Sequence, residues 1–302
     1  MYHIPVMLKE TIDALNVKQD GIYFDGTLGG GGHSFAILRK GGRIIGTDLD
    51  NEALEECEKR FSSFDKKFIL KHGNFKNAKQ FLAEEGINSI DGAVIDLGIS
   101  SHQVDADYRG FSYKQNARLD MRMNCESGLD AEYVVNNYEE KKLADIIYTY
   151  GEERYSRRIA AAIVRERAKE PIVTTGQLVE IIKNCVPFDP KSHPAKKTFQ
   201  AIRIEVNGEL DGLKEGIEDI FSMIKPGGRF SIISFHSLED RIVKQTFSML
   251  ATNCICDKSL PVCVCGHKAT GKLILKTKPS KEEIAFNSRS TSATLRVIEK
   301  IM

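Results

Sequence analysis

The decapeptide Asp25-Gly-Thr-Leu-Gly-Gly-Gly-Gly-His33-Ser34 places five glycines behind an acid. Glycine takes positive φ without steric penalty, so such a run lets the backbone wrap a ligand, and the free N–H groups of a following helix face it. The spacing misses the dinucleotide fingerprint G-x-G-x-x-G: counted from Gly29 or Gly30, the third glycine falls on Ser34 or Phe35. It misses a phosphate loop too, because Gly32 stands where lysine should follow. What remains is a wide turn with Asp25 before it and Asp48 nineteen residues beyond Gly29. A carboxylate there accepts hydrogen bonds from both ribose hydroxyls of a nucleoside. The methionine end of S-adenosylmethionine, carrying an amine and a carboxylate, suits the turn. A second group is Cys254-x-Cys256-x6-Cys263-x-Cys265, four thiols within twelve residues. They suffice for a tetrahedral zinc site, although the common C-x2-C spacing is absent. Free thiols in a loop are the favoured reading, ahead of a local structural zinc ion and of disulfides. The odd total of seven cysteines also points to reduced thiols.

Such residues need a scaffold, and the surrounding pattern supplies one. Ile22 to Asp25, Arg43 to Asp48, Gly92 to Asp96 and Arg229 to Phe235 are apolar runs ending at small or acidic residues, which reads as buried parallel strands. Ser34 to Lys40, Glu52 to Phe61 and Lys76 to Glu85 read as the helices between them. Alternation of this kind implies a parallel α/β sheet with ligands at the carboxyl ends of its strands. From about Arg109 to Gly208 the rhythm stops. Helical patterns follow at Leu129 to Asn136, Glu140 to Thr149, Glu152 to Ala168, Thr175 to Cys185 and Pro194 to Val206, which predicts an all-helical insertion. Glu209 to Ile224 is a further helix that Lys225-Pro-Gly-Gly228 should stop, handing the chain back to the sheet. Leu273 to Thr277 and Thr294 to Lys300 predict an antiparallel edge hairpin whose long connection contains Lys281 to Phe286.

The 302 residues suit one large domain or one domain carrying a second, and 41% hydrophobic against 28% charged residues is ordinary globular composition. No apolar stretch is long enough for a membrane span, and the N-terminus lacks the pattern of a signal peptide. A cytoplasmic protein without a membrane partner is the expectation. A net charge of +1 excludes a protein that coats nucleic acid, and residues 109–208, with 17 basic against 14 acidic side chains, are only mildly basic.

The strings HIPVM, DGTLGGGGHS, DLGISSHQVD, RGFSY, LDMRM, GEERYSRRIA, KKTFQAIRIEVNGEL, GGRFSIISFHSLEDRIVK and NSRSTSATLR span nearly the whole chain in order, and the chain resembles the RsmH (MraW) family of ribosomal RNA small-subunit methyltransferase H enzymes. The resemblance implies an α/β class I S-adenosylmethionine-dependent methyltransferase fold, Rossmann-like, with residues 1–108 and 209–302 as the methyltransferase domain. Residues 109–208 become a helical RNA-recognition insert. It implies S-adenosylmethionine as donor and N4-methylation of one cytidine in the decoding region of 16S rRNA. By the same resemblance, cofactor contacts fall on Gly31, Gly32, His33, Asp48, Phe75, Asp96 and Gln103. Phe75 can pack on an adenine face, and Gln103 offers both donor and acceptor.

An exocyclic amine is a poor nucleophile facing a strong electrophile, so alignment is the main requirement. Asp96 or a neighbouring carbonyl should orient N4 with help from Ser100, within a motif that also offers Ser101. No catalytic metal and no covalent intermediate are expected, since no residues have the spacing for either. The target base must leave its stack; Arg109, Phe111, Tyr113 and Arg122 are candidates to receive it. Arg154, Arg158 and Arg165 would fall within about 40° of one another on a helix from Glu152 and could contact phosphates. The resemblance makes His236, Glu239 and Arg241 substrate-side candidates, with a helix cap by Ser237 and Asp240 as the equal alternative that the residues themselves offer; Asn287, Arg289 and Arg296 are positioned similarly. Near-zero net charge suits a shaped target, 16S rRNA in an assembled or assembling small subunit. A homodimer stays open. Competing functions are an amino methyltransferase of DNA, whose common Pro-Pro-aromatic signature is missing from DLGISS, and a noncatalytic ribosome-assembly factor.

Overall fold

The computed structural model describes residues 5–64, 66–100, 103–104, 106–126, 128–190, 192–257, 260 and 262–302. It divides into two compact units, residues 1–98 with 212–302, and residues 99–211.

The first unit is built on a seven-stranded sheet. Its strands are β1 (Ile22–Asp25), β2 (Arg43–Asp48), β3 (Phe68–His72), β4 (Ile90–Asp96), β5 (Ile224–Ser234), β6 (Gly271–Thr277) and β7 (Thr294–Lys300), in the order β3-β2-β1-β4-β5-β7-β6. Strands β1 to β5 run parallel; β7 is antiparallel to both β5 and β6. The chain winds outward from β1 to β3 and then restarts on the other side of β1 with β4. This is the reversal at which α/β sheets open a crevice at their carboxyl edge. The helices here are α1 (Leu8–Leu15), α2 (Gly32–Arg39), α3 (Asn51–Phe61) and α4 (Ala78–Glu84). It is the α/β class I methyltransferase fold that the resemblance implies. Ala93, Val94 and Ile95 on β4 are wholly buried, so the central strand is covered on both faces and reads as a continuous apolar run. Ile12, Leu15, Tyr23, Leu28, Ile37, Ile44, Cys57, Phe61 and Val94 form one core.

Two strand expectations change. The sequence reading omitted β3, whose first four residues are only half-buried and which sits at the sheet's edge; an edge strand with one wet face lacks the apolar run that marks its neighbours. The segment Lys225-Pro-Gly-Gly228 does not separate helix from strand, because β5 already begins at Ile224, paired with Ile90, and the register shifts before Gly92 meets Arg229.

The second unit is helical: α5 (Ala131–Asn137), α6 (Glu140–Gly151), α7 (Ser156–Arg167), α8 (Thr175–Lys183) and α9 (Lys196–Asn207). Among its described residues the one β-pairing is an isolated bridge between Arg118 and Thr174. The core includes Leu119, Val134, Leu143, Ile147, Ile159, Ile163, Leu178, Ile182, Phe199 and Ile202. The expected single helix from Glu152 to Ala168 starts at Ser156 instead. Glu152 takes φ 49°, ending α6, and the buried Glu153 accepts the Tyr155 N–H at 2.9 Å, so four residues turn the chain before α7. Beyond this unit the chain resumes with α10 (Leu213–Met223), α11 (Ser237–Leu250) and α12 (Lys281–Phe286). No helix among the described residues is long and apolar enough to cross a membrane.

Candidate functional site at the carboxyl edge of the sheet

Three parallel strands end in carboxyl groups: Asp25 on β1, Asp48 on β2 and Asp96 on β4. The glycine loop is threaded between the first two. Asp25 accepts the Ser34 hydroxyl at 2.6 Å and the Thr27 N–H at 3.2 Å, holding the two ends of the loop. Asp48 accepts the N–H of Gly29 at 2.8 Å and of Asp50 at 2.9 Å. An ionised carboxylate has about four acceptor positions, so Asp48 retains capacity for a ribose. Burial lifts both groups to about 6 against these hydrogen bonds.

The glycines are fixed by what they touch. Gly31 has φ 68°, and a methyl there would stand 2.6 Å from Phe61 and 2.8 Å from the Cys57 sulfur. A methyl on Gly32 would meet Pro5 at 2.7 Å, and one on Gly26 would meet the Phe75 Cβ at 2.8 Å. His33 is buried with Nε2 3.1 Å from the Val6 carbonyl oxygen. Gly32 and His33 thus clasp the N-terminal segment, which Glu283 secures by accepting the Met7 N–H at 2.7 Å. Phe75, capped into its turn by the Asn74 side chain, is buried against the loop. The loop, Asp48 and Phe75 accordingly share one end of the sheet.

Asp96 differs from the other two acids. Its backbone N–H donates to Thr27 Oγ1 at 2.7 Å, which aims the strand end at the loop, and its Oδ1 is buried without a hydrogen-bond partner among the described residues. Burial, then the negative charges of Asp25, Glu239 and Glu283, drive its carboxyl well above the usual range. A buried acceptor left unmade costs about 1–3 kcal/mol, which a ligand N–H would relieve. The sequence reading missed Thr27 and Glu283; the threonine inside a loop already explained by glycines and an acid distant in sequence gave no signal of their own.

In the second unit, Ser100 and Gln103 form a reciprocal box. The Gln103 N–H donates to Ser100 Oγ at 3.2 Å, and the Ser100 N–H to Gln103 Oε1 at 3.1 Å. Gln103 is buried, not a solvated loop residue. Ser101 lies outside the described residues.

Several base-receiving or phosphate-contact candidates have structural employment. Arg109 is 2% exposed, and its Nη2 donates to the carbonyls of Arg122 and Met123 at 3.0 and 2.9 Å. Phe111 is in the helical core. Arg122 grips Asp120 with two nitrogens at 2.8 and 2.7 Å. Tyr113 stacks on His193 with centroids 4.5 Å apart. Arg154 lies outside α7, so the three-arginine stripe loses a member, while Arg158 and Arg165 stay exposed on it. The cap of α11 is one residue earlier than expected: His236 Nδ1 accepts the Glu239 N–H, and Glu239 Oε2 accepts the His236 N–H. Asp240 instead forms a two-pronged pair with Arg296 at 2.7 and 2.9 Å.

The family model described as the MraW methylase family matches residues 1–301. A ribosomal RNA small subunit methyltransferase H from Clostridium botulinum (strain Kyoto / Type A2) is 52% identical over 306 residues, covering 99% of each chain. The protein of the same description from Clostridioides difficile (strain 630) is 49% identical over 308 residues, again covering 99% of each. Among solved structures, a putative methyltransferase from Streptococcus mutans in complex with SAH aligns with TM-score 0.43 and 13% identity over 98% of this chain and 99% of its own.

Proposed function

Because the chain belongs to the MraW methylase family, we propose that it transfers a methyl group from S-adenosylmethionine to N4 of a cytidine in small-subunit ribosomal RNA. The buried Oδ1 of Asp96, without a partner among the described residues at the carboxyl end of β4, carries this reading. It is an acceptor built into the site and left for a ligand. The donor fits the surrounding groups: Asp48 has acceptor positions for ribose hydroxyls, Phe75 offers an apolar wall beside the loop, and Gly31 and Gly32 bring backbone close. Gln103 and His33 complete the proposed contacts.

When bound, the donor supplies an electrophilic methyl group. The protein's part is alignment, which for two held reactants is worth roughly 7–11 kcal/mol. Asp96 Oδ1 accepts a hydrogen bond from N4–H, pointing the nitrogen lone pair at the methyl carbon. Its raised proton affinity suits it to take the proton that N4 sheds after transfer. Ser100, whose Oγ is already fixed by the Gln103 N–H, can spend its own proton on the base. The helical unit, residues 99–211, is the RNA-recognition element in this scheme, acting on 16S rRNA in a subunit context. Nucleoside mass spectrometry on ribosomal RNA from a deletion strain tests it: loss of N4-methylcytidine, restored by wild type and not by Asp96→Ala, is expected. Unchanged rRNA with altered DNA, or no chemical change, would refute it.

A further inference from the structure

The connection between α11 and β6 contains no buried side chain from Thr252 to Lys268 among its described residues. Its base is closed by protein contacts: Leu250 O accepts the Thr270 N–H at 2.9 Å, Asn253 Oδ1 accepts the Ala269 N–H at 3.2 Å, and His267 Nε2 lies 3.0 Å from Met249 O. Beyond that base Ile255, Leu260, Val262 and Val264 are all exposed. A loop with an empty interior has no hydrophobic means of holding one conformation, and segments this small usually need a staple. Yet its four cysteines converge. All four sulfurs lie within 4.8 Å of one another, with Cys263 to Cys265 at 3.6 Å, Cys265 to Cys254 at 3.8 Å and Cys256 to Cys263 at 4.0 Å.

We propose that Cys254, Cys256, Cys263 and Cys265 bind one Zn2+ ion as a tetrathiolate site. Four sulfurs about 2.3 Å from a central ion are about 3.8 Å from each other in a regular tetrahedron, which the observed separations bracket. The backbone is arranged for thiolates as well: the N–H of Ile255 points to the Cys265 sulfur at 3.5 Å and that of Val264 to the Cys256 sulfur at 3.4 Å. Each donor comes from the opposite cysteine pair, so the two strands of the loop stabilise each other's sulfur charge. Gly266, at φ 62° with open space around its α-carbon, makes the left-handed turn after the last ligand. All-sulfur tetrahedral donors favour zinc over hard cations. Each thiol releases its proton on binding, and the binding free energy becomes folding free energy for a loop that has no core. The Cys-x-Cys spacing thus makes the site from two short arms, where the usual knuckle uses Cys-x2-Cys.

The full-length protein, purified from zinc-containing medium without chelator, should carry about one zinc per chain. Cys125→Ser, which removes an exposed thiol outside the group, should keep it, and Cys263→Ser with Cys265→Ser should lose at least about nine-tenths of it. Thiol labelling of the wild type supplies a readout that needs no variant. One exposed cysteine should react rapidly in the zinc form and five after chelation, since Cys57 and Cys185 are buried. Replacement of zinc by cobalt should give the thiolate charge-transfer bands of a tetrahedral centre. A wild type that takes up no zinc on reconstitution, five fast thiols before chelation, or a mass lower by four hydrogens from two disulfides would overturn the site.

Discussion

The three strand-end acids sit in one region yet are equipped for different work. Asp48 has two backbone donors and Asp25 a hydroxyl and a backbone donor, whereas Asp96 has an oxygen with none among the described residues. Asp96→Ala should therefore lower turnover by about 10²–10³-fold, the usual effect of deleting one pre-organised polar group, and unchanged turnover and cofactor affinity would remove Asp96 from the mechanism. Asp48 carries a pH signature. Its carboxyl is pushed up to about 6, so it is charged above that pH and protonated below. The charged form is the one that accepts both ribose hydroxyls, so affinity for S-adenosylmethionine should be flat from pH 8 to 7 and fall as pH drops through 6. Calorimetric titration across that range checks it. In Asp48→Asn the fall should disappear and the affinity should be weak at every pH.

At the scale of elements, the loop and the helical unit each depend on one residue for their shape. Gly31 combines φ 68° with a neighbouring ring 2.6 Å from where a Cβ would stand, so Gly31→Ala forces both strained backbone and a displaced Phe61. The expected loss is about 2–3 kcal/mol by denaturant unfolding, and a near-neutral result would show that α3 can yield. Arg109 ties the loop before α5 through two carbonyls, and Asn207 does the same from α9, accepting the Met123 N–H at 2.7 Å and donating to Met121 O at 2.8 Å. Arg109→Ala should destabilise by about 3 kcal/mol by stranding buried acceptors, and RNA affinity measured below the unfolding transition should change little; the opposite pattern would return Arg109 to the RNA surface. These contacts mark what the sequence could not reveal. Strands β1, β2 and β4 were readable because both faces are buried, and the loop with Asp48 because few other functions need so many glycines. The placement of Arg109 was not readable, since an arginine aimed at carbonyls and one aimed at phosphates have the same letter. Nor was the choice of His236 over Ser237 as cap, which depends on where β5 releases the chain. The missing start of the helix at Glu152 turned on one left-handed residue, which no hydrophobic period records.

For the whole molecule, 43 basic and 42 acidic side chains leave little field to attract a polyanion from a distance. Most arginines of the helical unit are already engaged: Arg118 pairs with Asp130 at 3.0 Å, Arg122 with Asp120 at 2.7 Å, Arg203 with Glu209 at 2.8 Å, and Arg167 donates to the Val135 carbonyl at 2.7 Å. Arg157 and Arg158 remain exposed at the start of α7, and Arg165, about two turns on, is exposed with its Nε 3.1 Å from the neighbouring Glu166 carboxylate. If these supply the phosphate contacts, about three charges are neutralised. Single-stranded RNA gives a slope of about −0.7 per contact in log affinity against log salt, so the total should be about −2. Arg157→Gln together with Arg158→Gln should flatten it by about 1.4 and leave S-adenosylmethionine binding unaltered. Filter binding of a decoding-region RNA between 50 and 200 mM salt measures both quantities. A slope several-fold steeper, or one the double substitution leaves in place, would mean that RNA is held through other basic residues and that α7 faces solvent.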